Sequence, residues 1–178
     1  MSEQHARYQG LHFWMQSIVF ASLAALLLVT FVGQRIEVQM WSMTPTLLEG
    51  DSMVVRRVLY TPARGDIIVF VRHDFEDGAA LAKRVVALGG DVVDINTDTG
   101  LVYVNGAALD EPYVYEPTHR AGDILYPYTV PEGHIFVLGD NRNNSMDSRH
   151  TEIGAVDERE IIGQVVAVML PFHRIGLF

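Results

Sequence analysis

Lys83 is the only lysine among thirteen basic residues, and it sits in Leu81-Ala82-Lys83-Arg84-Val85-Val86-Ala87-Leu88, an apolar run of strand type. Arginine stays protonated at any workable pH, whereas a desolvated lysine can lose its proton, so lysine at this one position suits a role that needs a neutral amine. A surface lysine on an edge strand is the bland alternative, because sheet edges are often blunted that way. Ser42 is the second candidate. In Ser42-Met43-Thr44-Pro45-Thr46-Leu47 the proline locks its own φ and restricts Thr44, which suits rigid presentation of a hydroxyl, although a solvated turn has similar composition. The third segment is Gly139-Asp140-Asn141-Arg142-Asn143-Asn144-Ser145-Met146-Asp147-Ser148-Arg149, which follows the apolar run Ile135–Leu138. Its density of hydroxyls and of both charges marks a polar loop with many fixed hydrogen-bond options.

The chemistry these residues could perform is nucleophilic. A serine hydroxyl needs a base before it can attack, and a serine–lysine pair is one variant of that logic. Free lysine, with a pKa of ~10.4, is a poor base at neutral pH. Burial can lower that value by up to ~3–5 units, toward the operating pH at which a general base works best. Strand alternation puts Lys83, Val85 and Ala87 on one face and Arg84 and Val86 on the other, so Arg84 points away from the amine. Other chemistries fare worse. The seven histidines are scattered without metal-ligand spacing, and no metal or cofactor is implied. His134 and His150 flank the third segment and leave a Ser-His-Asp triad as the weaker alternative. The absence of cysteine excludes a thiol nucleophile, a disulfide framework and a Cys-ligated zinc. A formal charge of −9 excludes nucleic-acid binding through bulk positive charge.

The elements that must position these residues belong to one domain, since 178 residues with 49% hydrophobic content support a single real core. Residues 8–34 contain no Asp, Glu, Lys or Arg, and 13–32 read FWMQSIVFASLAALLLVTFV. About 20 apolar residues in a helix span a bilayer core, and this stretch is too long for the apolar core of a cleaved signal. The expected organisation is a short cytoplasmic N-terminus over 1–12, a transmembrane anchor helix over 13–33 and an extracytoplasmic β domain over 36–178. Arg7 and the free amine against Glu3 lean toward the N-terminus inside. Beyond the anchor, short Val- and Ile-rich runs alternate with turn residues. Strands are expected at Met53–Leu59, Asp66–Val71, Ala82–Leu88, Asp91–Ile95, Leu101–Val104, Leu125–Val130, His134–Leu138 and Ile161–Leu170. Pro127 demotes the sixth of these to an edge. Residues 92–104 form a hairpin, Asn105-Gly106 a tight turn, and 110–123 an exposed loop. The fold class is mainly β: an antiparallel sheet domain with one N-terminal transmembrane helix.

Taken together, SMTPTL (42–47), RGDIIVF (64–70), KRVVALGGD (83–91) and GDNRNNSMDSR (139–149) resemble, in order, the boxes of the bacterial type I signal peptidases. These are membrane-bound serine proteases that remove signal peptides from exported proteins. The resemblance runs from about residue 13 to the C-terminal PFHRIGL (171–177). It implies a signal-peptidase-like catalytic domain in which Ser42 is the nucleophile, Lys83 the general base, and Ser145 a hydrogen-bond partner that orients the amine. It further implies pairing of Asp140 with Arg84 and of Asp147 with Arg149, and an oxyanion site at the Ser42 N–H. Some relatives add a serine hydroxyl two residues before the nucleophile, where this chain has Met40. The implied specificity is for small residues before the cut, through shallow pockets expected to be lined by Val38, Met43, Leu47, Leu81 and Ala82. The implied partners are signal peptides of exported preproteins and membrane lipid, with no nucleic acid and a monomeric enzyme at the bacterial cytoplasmic membrane. A related Ser-Lys protease and a tethered non-enzymatic β domain are the alternatives.

Overall fold

The structure is a computed structural model that describes residues 12–23, 34–37, 41–72, 75 and 78–178. Residues 12–23 are helical, with Phe13, Trp14 and Phe20 exposed. The rest of the expected anchor, 24–33, lies outside the described residues. Among the described residues no helix is long and apolar enough to cross a membrane.

Twelve strands follow among the described residues: β1 Gln34–Glu37, β2 Ser52–Arg56, β3 Ile67–Val71, β4 Ala80–Leu88, β5 Val92–Asn96, β6 Leu101–Val104, β7 Ala107–Ala108, β8 Tyr128–Thr129, β9 His134–Leu138, β10 Val156–Asp157, β11 Ile161–Leu170 and β12 Gly176–Leu177. They form an antiparallel sheet of order β1-β2-β11-β3-β4-β9-β10, with β12 against β11, and a smaller sheet of order β7-β6-β5-β8. The expected strands recur with trimmed ends. The first stops at Arg56 because Leu59 takes a positive φ of 54° and turns its side chain fully into solvent. The run around Pro127 shrinks to β8, at the edge of the small sheet, since proline has no N–H for a ladder. Asn105 and Gly106 both have positive φ, as a tight hairpin turn requires, and join β6 to β7.

Alternation along β3 divides the core. Ile67 and Val69 join Met43, Leu47, Met53, Val55, Val165 and Val168 on one face, while Ile68 and Phe70 join Leu81, Val85, Ile135 and Val137 on the other. A third cluster, with Val86, Phe136 and Leu138 against Val93, Val102 and Val104, joins the two sheets. Full burial of each such side chain is worth about 1.5–3 kcal/mol. The strand that matters most is β4. It lies inside the large sheet, with Lys83 opposite Ile68 on one side and Arg84 opposite Leu138 on the other. Lys83 is therefore a central-strand residue, and the edge-lysine alternative fails.

Candidate active site

The turn carrying Ser42 is held from both ends. Thr44 N–H donates to the Trp41 carbonyl at 3.1 Å and Leu47 N–H to the Met43 carbonyl at 2.9 Å, while Met43 and Leu47 plunge into the core. With its flanks fixed, the Ser42 hydroxyl meets the buried end of Lys83. The Nζ atom lies 2.9 Å from Ser42 Oγ and also donates to the Ala82 carbonyl at 3.2 Å. Lys83 is 1% exposed and Ser42 9%.

On the opposite face of β4, Arg84 makes a two-pronged pair with Asp140, at 2.8 and 2.6 Å, and a third bond to the Gly65 carbonyl. Thr46 Oγ1 donates to the same carboxylate at 2.5 Å, so Asp140 ties the serine turn to the lysine strand. Asp147 binds Arg149 through Nε and Nη2, both at 2.8 Å, and accepts the Gly139 N–H at 3.0 Å. Burial opposes ionisation of Asp147, but Arg149 and the Gly139 amide outweigh it and hold the carboxyl below the usual carboxylate range. Both expected acid–arginine pairs are thus present.

Gly139 is where the serine turn and the final loop touch. A Cβ there would fall 2.2 Å from Ser145 Oγ and 2.4 Å from the Ser42 carbonyl, so only glycine fits. Beside it, Asn141 N–H donates to the Ser42 carbonyl at 3.0 Å.

Two expectations need correction. Ser145 Oγ is buried, and the expected bond to the lysine amine is not formed. The amine is directed to Ser42 Oγ and the Ala82 carbonyl, while Ser145 is seated over Gly139. The pocket lining also differs. A cavity of about 560 Å³ opens at Ser42 and Lys83, with Trp41, Asn144, Ser145 and Met146 on its wall. Met43, Leu47 and Leu81 are absent from that wall. They are 0–1% exposed in the core, and Ala82 packs against the cluster holding Met43. Apolar residues next to a catalytic box in sequence point into the nearest core unless the backbone turns them out. Val38 and Met40 lie outside the described residues. His150 borders the cavity, but the bonds of the Ser42 hydroxyl and of the Asp147 carboxylate run to Lys83 and Arg149. Among the described residues no cluster of three His, Cys, Asp or Glu side chains could hold a metal.

The loop over 110–123 is mostly exposed, as expected, but sequence reasoning missed the contacts that a few of its residues make with the site. Glu111 grips Arg142 at 2.6 and 2.8 Å, the Tyr113 ring lies 3.8 Å from the Arg84 guanidinium carbon, and Tyr115 N–H donates to the Asp140 carbonyl at 3.0 Å. The only hint in the sequence is the pair of aromatics in a segment otherwise rich in proline and charge.

Known proteins resemble this chain along most of its length. Residues 11–170 match the family described as signal peptidase, peptidase S26. A probable signal peptidase I-1 of Synechocystis is 39% identical over 168 residues, 89% of this chain and 82% of the relative. Signal peptidase I of Bacillus licheniformis is 36% identical over 173 residues, 91% of this chain and 90% of the relative. The crystal structure of a signal peptidase I from Enterococcus faecalis superposes with a TM-score of 0.51 at 32% identity, covering 60% of this chain and 98% of that one. The fold, the conjunction of boxes on it and these likenesses lead to one conclusion: the chain belongs to the signal peptidase family, peptidase S26.

Proposed function

We propose that this chain is a membrane-anchored serine endopeptidase that removes N-terminal signal peptides from exported preproteins, cutting after small residues. The observation that carries the reading is the 2.9 Å approach of Lys83 Nζ to Ser42 Oγ, at a lysine 1% exposed. Desolvation this complete favours the neutral amine. Arg84 also favours it weakly, its charge being turned away and paired with Asp140. The neutral amine takes the hydroxyl proton as Ser42 Oγ attacks the scissile carbonyl, then gives it to the departing amine. The Ser42 N–H receives the developing oxyanion. The substrate binds extended, as an added strand, which supplies affinity with little sequence demand. Bulk is excluded beside Ser42, where Trp41, Ser145 and Met146 stand on the cavity wall.

The apolar stretch 13–33 supports a single-pass anchor, with the N-terminus inside and the domain over 36–178 on the outer face of the cytoplasmic membrane, acting as a monomer on lipid-borne substrates. The test is to incubate detergent-solubilised protein with a preprotein and sequence the new N-terminus. Cutting after a small residue is expected, and both Ser42→Ala and Lys83→Arg should be inactive, the latter because a guanidinium cannot act as base. Cleavage by Lys83→Arg at the wild-type rate would remove the lysine from the mechanism.

A further inference from the structure

We propose that Glu111 and Tyr113, from the loop between β7 and β8, are positioning residues for catalysis: they hold the final loop and the lysine strand in register around Ser42. The inference rests on the reading of Ser42 and Lys83 as the reacting pair.

The two side chains act as one unit. Tyr113 Oη donates to Glu111 Oε1 at 2.9 Å, while Glu111 receives both guanidinium prongs of Arg142. Arg142 is 1% exposed and in turn donates through Nε to the Gly139 carbonyl at 3.0 Å. One arm therefore ends on the glycine wedged between Ser42 and Ser145. The other arm is the Tyr113 ring, stacked on the Arg84 guanidinium, whose edge is filled by Asp140. A cation over an aromatic face is held in orientation as well as in place. Arg84 follows Lys83 directly on β4, so the stack fixes the strand that carries the amine.

Neither Glu111 nor Tyr113 lines the cavity at Ser42, so neither touches the reacting atoms. Electrostatics keeps the unit intact. Burial opposes the charge of Arg142, but Glu111 more than offsets it and raises its pKa, and burial together with Glu111 raises that of the Tyr113 phenol, which stays a donor.

The experiment uses full-length protein in detergent micelles, with steady-state cleavage of a preprotein well below the unfolding temperature. Glu111→Gln and Tyr113→Leu are each expected to lower kcat about tenfold with KM within about twofold, since they disturb the geometry of reaction and not substrate contact. Tyr113→Phe keeps the stack and should lose no more than about threefold, and Tyr113→Trp, which also keeps a ring face, should restore most of what leucine loses. Unchanged kcat in Glu111→Gln and Tyr113→Leu overturns the inference, as does a loss confined to KM. If the leucine variant does not fold, Tyr113→Phe against Tyr113→Trp and Glu111→Asp decide it: wild-type kcat in Glu111→Asp alongside a tenfold loss in Tyr113→Trp would rule out the stack. Ser42→Ala in the same assay separates the two readings. Residual cleavage there would refute the reacting pair, whereas a dead Ser42→Ala beside fully active loop variants refutes only the positioning role.

Discussion

Replacing Asp147 by asparagine removes one negative charge from a fully buried site. Its carboxylate is fully buried and takes two bonds from the Arg149 guanidinium, a longer one from the Arg149 backbone N–H and one from the Gly139 amide. The amide of asparagine keeps one acceptor oxygen but turns an NH2 group toward Arg149, which is itself 1% exposed. Breaking one partner of such a buried pair costs about 3–5 kcal/mol, because the other charge is left uncompensated. A chain of this size loses about 2–4 °C of Tm per kcal/mol, so a fall of about 10 °C is expected in thermal unfolding followed by circular dichroism. The pH dependence has a definite sign. Arg149 and the Gly139 amide depress the Asp147 pKa against the pull of burial. Its stabilising contribution is therefore complete above the ordinary carboxylate pKa of about 3.9 and is lost as pH falls through the lower folded-state value. The gap in Tm between wild type and variant should accordingly be widest near neutrality and close in acid. A second arm tests the cause. Asp147→Leu combined with Arg149→Met removes both charges and should recover part of the loss, the remainder reflecting the Gly139 amide and the Arg120 and Arg142 carbonyls left without these partners. A Tm within about 2 °C of wild type in Asp147→Asn, or a gap that widens in acid, would refute the reasoning.

Two further outcomes follow from packing. Gly139→Ala forces a methyl group within 2.2 Å of Ser145 Oγ and 2.4 Å of the Ser42 carbonyl, so kcat for preprotein cleavage should drop at least about a hundredfold, and near-normal turnover would mean the two segments can part freely. Leu81→Ala hollows the core next to Phe70 and Val85 and should cost about 2–5 kcal/mol in denaturant unfolding while leaving the tolerated residue before the cut unchanged. A broadened specificity in a peptide panel would return Leu81 to the pocket wall.

The parts legible in the sequence are those whose chemistry is unusual for their place. A lone lysine in a Val-rich run, and a loop dense with Asp, Arg, Asn and Ser after Ile135–Leu138, stand out because ordinary packing does not call for them. The strands were legible through β-branched runs bounded by turn residues, and Asn105-Gly106 through its need for positive φ. What stayed hidden depends on distance in space. β7, β10 and β12 are two residues each and exist only because longer partners lie beside them. The bonds of Glu111 to Arg142 and of Thr46 to Asp140 join residues 31 and 94 positions apart, which no local pattern reveals. The expected pocket failed for the same reason. Met43, Leu47 and Leu81 are apolar and adjacent to Ser42 and Lys83 in sequence, yet side-chain direction is set by the backbone, which sends them inward.

The amine rides on an interior strand of the large sheet, whereas its alcohol partner comes from a turn ahead of β2. Death of the enzyme and melting of the fold are therefore separate events. A small adduct confined to the Ser42 hydroxyl, which leaves Met43 and Leu47 seated in the core, is expected to silence hydrolysis in a molecule that still passes tests of foldedness, so stability assays alone cannot vouch for a working preparation.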